Sequence, residues 1–463
     1  MTENTYRRYD IEADPAPDII KVPARFRVKT RKHKLIALAV KELIEFKGNA
    51  RVALSRPCMY GVFGRPVGGL APIEEKCVGC LRCTVQYPDV VQIHRNPDRA
   101  RLGDSYLRPE FVDTILYEAE SGRVPVKGQG YRGKFGGDGF DGMWLDMSEI
   151  VRPTRDGIHG REFISTAVDI GEKPMYLQLQ PDGSVWDGGP GTIPDTMTLQ
   201  VPILFGAPPM GPSLDRLADV LVGAANKIET LALVPVEVAA RHRDSRAVPV
   251  AALEEWDALM ALPWSPKAVE LRGWSPERFT KAKERFPDSQ VWIRVPADYD
   301  IVPIARDGAG VIHLAADLHG RSGGDFILDL IMRAHQSLVD AGLREKVTLI
   351  ASGGIVAAEH VPKAIVAGLD AVVVGSATWV ALHGRFEGEA HDPRTAPVSF
   401  PDFDTAWGVK RLTNLAASWR DQLLEVMGAM GLREVRRMRG EIGRCMFQKE
   451  LEDEAFGDIE GYS

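Results

Sequence analysis

HQSLVDAGLREKVTLIASGGIVAAEHVPKAIVAGLDAVVVGSATWVAL, residues 335–382, is the stretch whose reading decides the fold. Two short β-branched and apolar runs stand out in it, VTLIASGG (347–354) and AVVVGSA (371–377), with a helical stretch between them. Strand, helix, strand in that order makes a parallel pair with a crossover. Each run ends in small residues, Ser352-Gly353-Gly354 and Gly375-Ser376. Small residues let peptide N–H groups approach the oxygens of a phosphate. Taken singly, each loop also reads as an ordinary tight turn; the pair, one after each of two successive strands, points more specifically to phosphate.

Working outward, the same texture runs back to about residue 197. The runs are TLQVPILFG (198–206), TLALVPVEV (230–238), AVPVAAL (247–253), AVELRG (268–273), VWIRVP (291–296), GVIHLAAD (310–317) and the two above. Eight strand–helix units predict an α/β fold, a closed (β/α)8 TIM barrel. Barrels of this kind place ligands at the C-terminal ends of the strands, with phosphate often held by the loops after strands seven and eight. The domain division expected is 1–125, an N-terminal region with a cysteine motif; 126–196, a glycine-rich connecting segment; 197–400, the barrel; and 401–463, C-terminal helices packing on it. His33–Lys47 reads as an amphipathic helix, and 405–453 as terminal helices, the last of them basic (LREVRRMRGEIGR).

Bulk properties narrow the classes. The chain has 463 residues, 44% hydrophobic and 26% charged, the texture of a globular protein with a full core. A net charge of −7 gives no global attraction to nucleic acid or an anionic membrane. No run approaches the roughly 20 apolar residues of a membrane span, and MTENTYRRYD carries no signal-peptide core. Of five cysteines, three lie within residues 77–83, which suits a metal or cluster site in a reducing compartment better than a disulfide framework. A cytoplasmic location is the expectation.

Residues 335–382 closely resemble the FMN-binding domain of the glutamate synthase family, with its histidine–glutamine helix, GLR turn and glycine pair. DLHGRSGGDF (317–326) looks like a worn form of that family's Asp-Gly-Gly-Thr-Gly segment, and VPILFGAPPMG (201–211) stands where the family has its first-strand FMN loop. The resemblance implies an FMN oxidoreductase in which Gly206, Ala207 and Pro208 border the flavin. It also implies that Ser352, Gly353, Gly354, Gly375 and Ser376 hold the phosphate, and that Arg294 replaces a flavin-contacting lysine. The family's Gly-Glu-Gly-Gly and Lys-Pro-Gly segments are not recognisable between 230 and 290, residues 378–444 contain no cysteine, and no early glutaminase cysteine exists. The resemblance therefore carries the fold and not the substrate.

Lys76-Cys77-Val78-Gly79-Cys80-Leu81-Arg82-Cys83 with Tyr87-Pro88 resembles a bacterial ferredoxin loop, Tyr87 standing in the last cysteine place. A 4Fe–4S cluster on Cys77, Cys80 and Cys83 needs a remote ligand, for which Cys58 is the candidate; without it the alternatives are a 3Fe–4S or a labile cluster. A tetrahedral zinc site on the same residues is the rival, and Cys445 is expected to be a free thiol. Before the barrel, MSEIVRPTRDGIHGREFIS (147–165) gathers Arg152, Arg155, His159 and Arg161. These form either a cationic wall for an anionic substrate, with Arg155 and His159 as catalytic candidates, or a structural strap paired to nearby acids. The glycine run near 128–133 follows no convincing strand and is discounted as a dinucleotide fingerprint. Three functions fit: an oxidoreductase acting on a small organic substrate, an electron-transfer subunit of a larger redox complex, or a zinc scaffold that has lost flavin. Neither a nucleic-acid partner nor a membrane span is expected.

Overall fold

The computed structural model describes residues 11–54, 57–63, 71–125, 139–147, 164–173, 179–184 and 196–458. Its centre is a closed barrel of eight parallel strands: β1 (Ile203–Phe205), β2 (Ala232–Pro235), β3 (Ala247–Ala251), β4 (Ala268–Arg272), β5 (Gln290–Pro296), β6 (Val311–Ala315), β7 (Thr348–Ser352) and β8 (Ala371–Val374). Every neighbouring pair is parallel, and β8 pairs with β1 to close the ring. All eight predicted runs supply a barrel strand. The strands are short and rich in valine, isoleucine and alanine, as expected where both faces are covered.

The run 198–206 divides. Thr196–Leu199 pairs antiparallel with Val168–Gly171, and only Ile203–Phe205 enters the barrel. Pro202 has no N–H for a ladder and breaks the run there, while its carbonyl accepts from Val372 N at 2.9 Å. The hairpin caps the N-terminal end of the barrel. Thr348 Oγ1, at the start of β7, donates to Gly171 O (2.7 Å), and Gln290 Nε2, at the start of β5, donates to Ile170 O (2.9 Å).

Ahead of the barrel, Phe26–Thr30 pairs antiparallel with Val91–Arg95, and Lys32–Glu45 forms the predicted amphipathic helix. Val28, Val62, Cys77, Cys83 and Val91 build a small core of their own, separate from the main one. The segment from Asp14 to Asp18 and the helix Pro109–Ser121 are tied to the barrel by one long helix, Thr405–Ala429. Its Arg411 is fully buried and donates to Ala381 O (2.5 Å) and Ala16 O (2.8 Å). Asn414 Nδ2 donates to Asp14 O and Ala119 O, and Trp419 Nε1 to Glu118 Oε2.

The basic stretch after this helix is not helical as expected. Val435–Met438 and Ile442–Arg444 are single 3₁₀ turns, and Cys445–Phe447 pairs antiparallel with Met143–Leu145. Gly431 and Gly440, at φ of 73° and 75°, take left-handed backbone that ends each helical attempt. A helix returns at Gln448–Phe456.

Asp370, just before β8, is the centre of a buried ionic knot. It accepts from Lys173 Nζ (2.7 Å), Arg344 Nη2 (2.9 Å), Arg439 Nη1 (3.0 Å) and Leu349 N (2.8 Å). Burial pushes its carboxyl up, but the three cations outweigh burial and hold it far below the usual range. A depressed folded value stabilises above the unfolded value of about 3.9 and is lost as pH falls through and below it. Asp370→Ala should cost about 3–5 kcal/mol in urea unfolding at pH 7, since it strands buried cations. The gap to the parent should close as pH drops below about 4. A pH-independent gap would contradict this reading.

Candidate functional site

At the C-terminal rim of the barrel the loops after β6, β7, β8 and β1 lie side by side. Gly353 and Gly354 adopt φ of 103° and 69°, which side chains other than glycine rarely take. A Cβ on Gly353 would stand 2.3 Å from Asp317 O, and one on Gly354 would stand 2.9 Å from Gly320 Cα. The β6 loop and the β7 loop therefore touch backbone to backbone. Gly206 makes the same kind of contact with Gly375: its own Cβ would lie 3.3 Å from Gly375 Cα. Ala207 is half-buried, and Pro208 and Ser376 are buried in this seam.

Two features leave room for a ligand. Ser352 Oγ, at the end of β7, is buried and has no hydrogen-bond partner among the described residues. A side chain on Gly375 would meet only Leu318 Cδ2, 3.8 Å away. The hydroxyl and the open glycine lie on adjacent strands, at the place expected for a phosphate. Nearby, Tyr106 from the N-terminal region donates to Gly354 O at 2.6 Å and stacks on His319 with ring centroids 5.4 Å apart.

Within the barrel wall the structure assembles a charged group. On β4 and β5, Glu270 sits beside Trp292 and Arg272 beside Arg294, while Arg294 faces His313 on β6. Gln290, Trp292 and Arg294 share one face of β5 by strand alternation. Gln290 reaches the hairpin plugging the barrel bottom, so this face is the inner one. Glu270 is fully buried, with His313 Nδ1 at 2.6 Å and Arg294 Nη1 at 3.5 Å. Burial raises the Glu270 carboxyl, but His313, Arg294 and Arg272 outweigh it and the net direction is down. Burial holds the His313 imidazole below its ordinary value, so Nδ1–H donates to Glu270. His313 Nε2 and Arg272 Nε are buried without partners. The strands AVELRG, VWIRVP and GVIHLAAD carry these groups as lone polar residues at alternate places; of the four, the sequence reading drew out only Arg294.

Cys58, Cys77, Cys80 and Cys83 all line one cavity, with Val28, Val62 and Ile93 as its apolar wall. Gly79 has a φ of 68° and a Cβ there would lie 2.4 Å from Phe26 Cζ, so glycine is required where the loop turns between Cys77 and Cys80. Burial pushes the Cys77 and Cys83 thiols up. Among the described residues, the cysteine sulfurs do not form a set of three within 4.8 Å of one another; His319, Glu389 and His391 do. Tyr87, in the fourth ferredoxin position, donates to Glu42 Oε1 at 3.1 Å. Cys445 is half-buried, remote in sequence, and its thiol is pushed up to about 11 by burial. Arg152, Arg155, His159 and Arg161 lie outside the described residues.

Residues 306–393, from the approach to β6 to the segment beyond β8, match the family described as the conserved region in glutamate synthase. Over these residues the barrel is similar to glutamate synthases. An archaeal-type glutamate synthase [NADPH] of Thermotoga maritima is 23% identical over 509 aligned residues, covering 91% of this chain and 94% of the relative. An archaeal glutamate synthase [NADPH] of Methanocaldococcus jannaschii is 30% identical over 186 residues, 35% of this chain and 36% of that one. Among solved structures, the flavin-binding domain of baker's yeast flavocytochrome b2 overlays with a TM-score of 0.41 at 13% identity, covering 70% of this chain and 79% of that chain. The monotopic membrane protein (S)-mandelate dehydrogenase gives 0.42 at 11% identity, covering 73% and 95%. No described helix here is long and apolar enough to cross a membrane. The glutamate synthase-like sequence supports an oxidoreductase enzyme.

Removing Glu270 should expose how tightly this wall is balanced. Glu270→Ala leaves Arg272 and Arg294 without their buried counter-charge, and we expect a loss of about 3–5 kcal/mol in denaturant unfolding. A loss below about 1 kcal/mol would mean that the arginines are solvated and the group is not a buried ion cluster.

Proposed function

We propose that this chain is an FMN-dependent oxidoreductase of the glutamate synthase type. In this reading a 4Fe–4S cluster in the cysteine cavity exchanges electrons with a flavin at the barrel mouth. The observation that carries the flavin reading is the buried, unpartnered Ser352 hydroxyl beside the glycine-lined gap at Gly375. A buried hydroxyl without a partner costs free energy unless a ligand supplies one. A phosphate oxygen fits, flanked by Gly353, Gly354 and Ser376, with Gly206, Ala207 and Pro208 completing the rim. Bound FMN would supply the exchange between one-electron and two-electron chemistry.

The protein's part in that chemistry is positioning and charge. Arg294, with Arg272 beside it on the inner face near the C-terminal end of β5, would supply the cation that suits the negative pyrimidine edge of a reduced flavin. Glu270 fixes Arg294 from below, and the neutral His313 holds Glu270 in place. Arg155 and His159 remain the catalytic candidates for an anionic substrate. The substrate is read as a small organic molecule or, in a larger complex, electrons from a redox partner subunit.

The cluster reading rests on spacing. Cys77, Cys80 and Cys83 follow the C-x2-C-x2-C spacing of a ferredoxin loop and share one cavity with Cys58. Lowered access to solvent and a partly apolar wall suit an electron-transfer centre.

Flavin retention tests the reading. The purified protein should release about one FMN and contain about four irons per chain. A Cβ at Gly375 would meet only Leu318 Cδ2, 3.8 Å away, so there is room for a side chain there. Gly375→Glu would put a carboxylate where the phosphate belongs, and FMN content should fall about tenfold or more, with iron and far-UV circular dichroism unchanged. Undiminished FMN in this variant would overturn the assignment of the phosphate site.

A further inference from the structure

We propose a divalent transition-metal site, of zinc class, formed by His319, Glu389 and His391 beside the barrel mouth. It is distinct from the cysteine cavity and does not depend on the flavin reading. One ligand atom from each of the three residues lies within 4.8 Å of the other two. Donors around tetrahedral zinc, at bonds of about 2.0–2.1 Å, stand roughly 3.3 Å apart. The exposed Glu389 and His391 side chains can close that difference with small rotations.

The surroundings are those of a ligand set. Asp104, almost fully buried, has its Oδ2 2.8 Å from His319 Nε2, and Asp317 Oδ2 lies 3.2 Å from His391 Nδ1. Asp317 on His391 Nδ1 fixes that ring, leaves its Nε2 for the ion and raises its basicity, while Asp104 holds His319 Nε2 and so leaves Nδ1 of that ring for the ion. His319 is also held between Tyr106, 5.4 Å away and nearly coplanar, and the His391 ring at 4.3 Å. Asp104 is anchored by accepting from Leu107 N (2.8 Å) and Ala390 N (3.2 Å), and Glu389 by accepting from Ser105 Oγ (2.6 Å). Among the described residues, two imidazoles and three carboxylates with no lysine or arginine side chain hydrogen-bonded to them make a site that favours a cation.

Placement gives the site a consequence. The ligands come from the β6 loop and from the segment after β8, and the carboxylate behind His319 comes from the N-terminal region. Tyr106, two residues from Asp104, also bonds the Gly354 carbonyl of the phosphate loop. A bound ion therefore clamps the N-terminal region onto the barrel rim.

The test uses the full chain as purified, with its iron and flavin content recorded, titrated with zinc chloride by calorimetry and followed by thermal unfolding. We expect about one zinc per chain and a rise in Tm with zinc, because an ion bound only by the folded state stabilises it. His391→Ala and, independently, Glu389→Gln should each weaken binding about tenfold or more and remove the zinc-dependent Tm rise. Both residues are exposed, so both variants should fold. The proposal is overturned if the parent takes up no zinc, or if zinc binds both variants as it binds the parent, which would place the ion at the cysteines or elsewhere.

Discussion

The barrel closes at Gly206, and the rest of the site follows from that closure. Its N–H donates to Val374 O at 2.8 Å, joining β1 to β8. At the same point a side chain would run into Val374 O at 3.2 Å and Gly375 Cα at 3.3 Å. Ring closure and the ligand loop thus favour the same small residues: the strands approach most closely where the backbone is bare, and bare backbone is what a phosphate needs. The neighbouring contacts of Gly353 with Asp317 and of Gly354 with Gly320 extend the same logic around four adjacent loops.

Inside this ring, charge replaces some of the usual apolar filling. Glu270, Arg272, Arg294 and His313 sit on three adjacent strands, and a second ionic knot around Asp370 ties β8 to Lys173, Arg344 and Arg439. Such groups are poor sources of net stability, because desolvation offsets most of the attraction. Their value lies in fixing direction. Glu270 supplies Arg294 with a buried counter-charge 3.5 Å away.

Much of this was legible in the chain itself. Strand–helix alternation marked all eight barrel strands, because parallel strands covered on both faces must be short and apolar. The SGG and GSA turns were legible because only small residues permit the left-handed backbone and close approach now seen at Gly353 and Gly354. The four cysteines were grouped by their spacing plus Cys58, and they do share one cavity. Other parts could not be read from local pattern. Nothing near Tyr106 or Asp104 in sequence says that they lean on loops more than 200 residues away. The Glu270–His313 pair needs strand register, which alternation alone leaves open. The basic stretch after Met430 has helical composition, and glycines at left-handed positions override it.

Reductive titration under anaerobic conditions tests the central claim of one flavin and one cluster in a single chain. FMN takes two electrons and a 4Fe–4S cluster one, so the purified protein should consume about three reducing equivalents per chain, bleaching a flavin band and a broader iron–sulfur absorbance. A colourless protein that consumes none, with zinc in place of iron, would contradict the account.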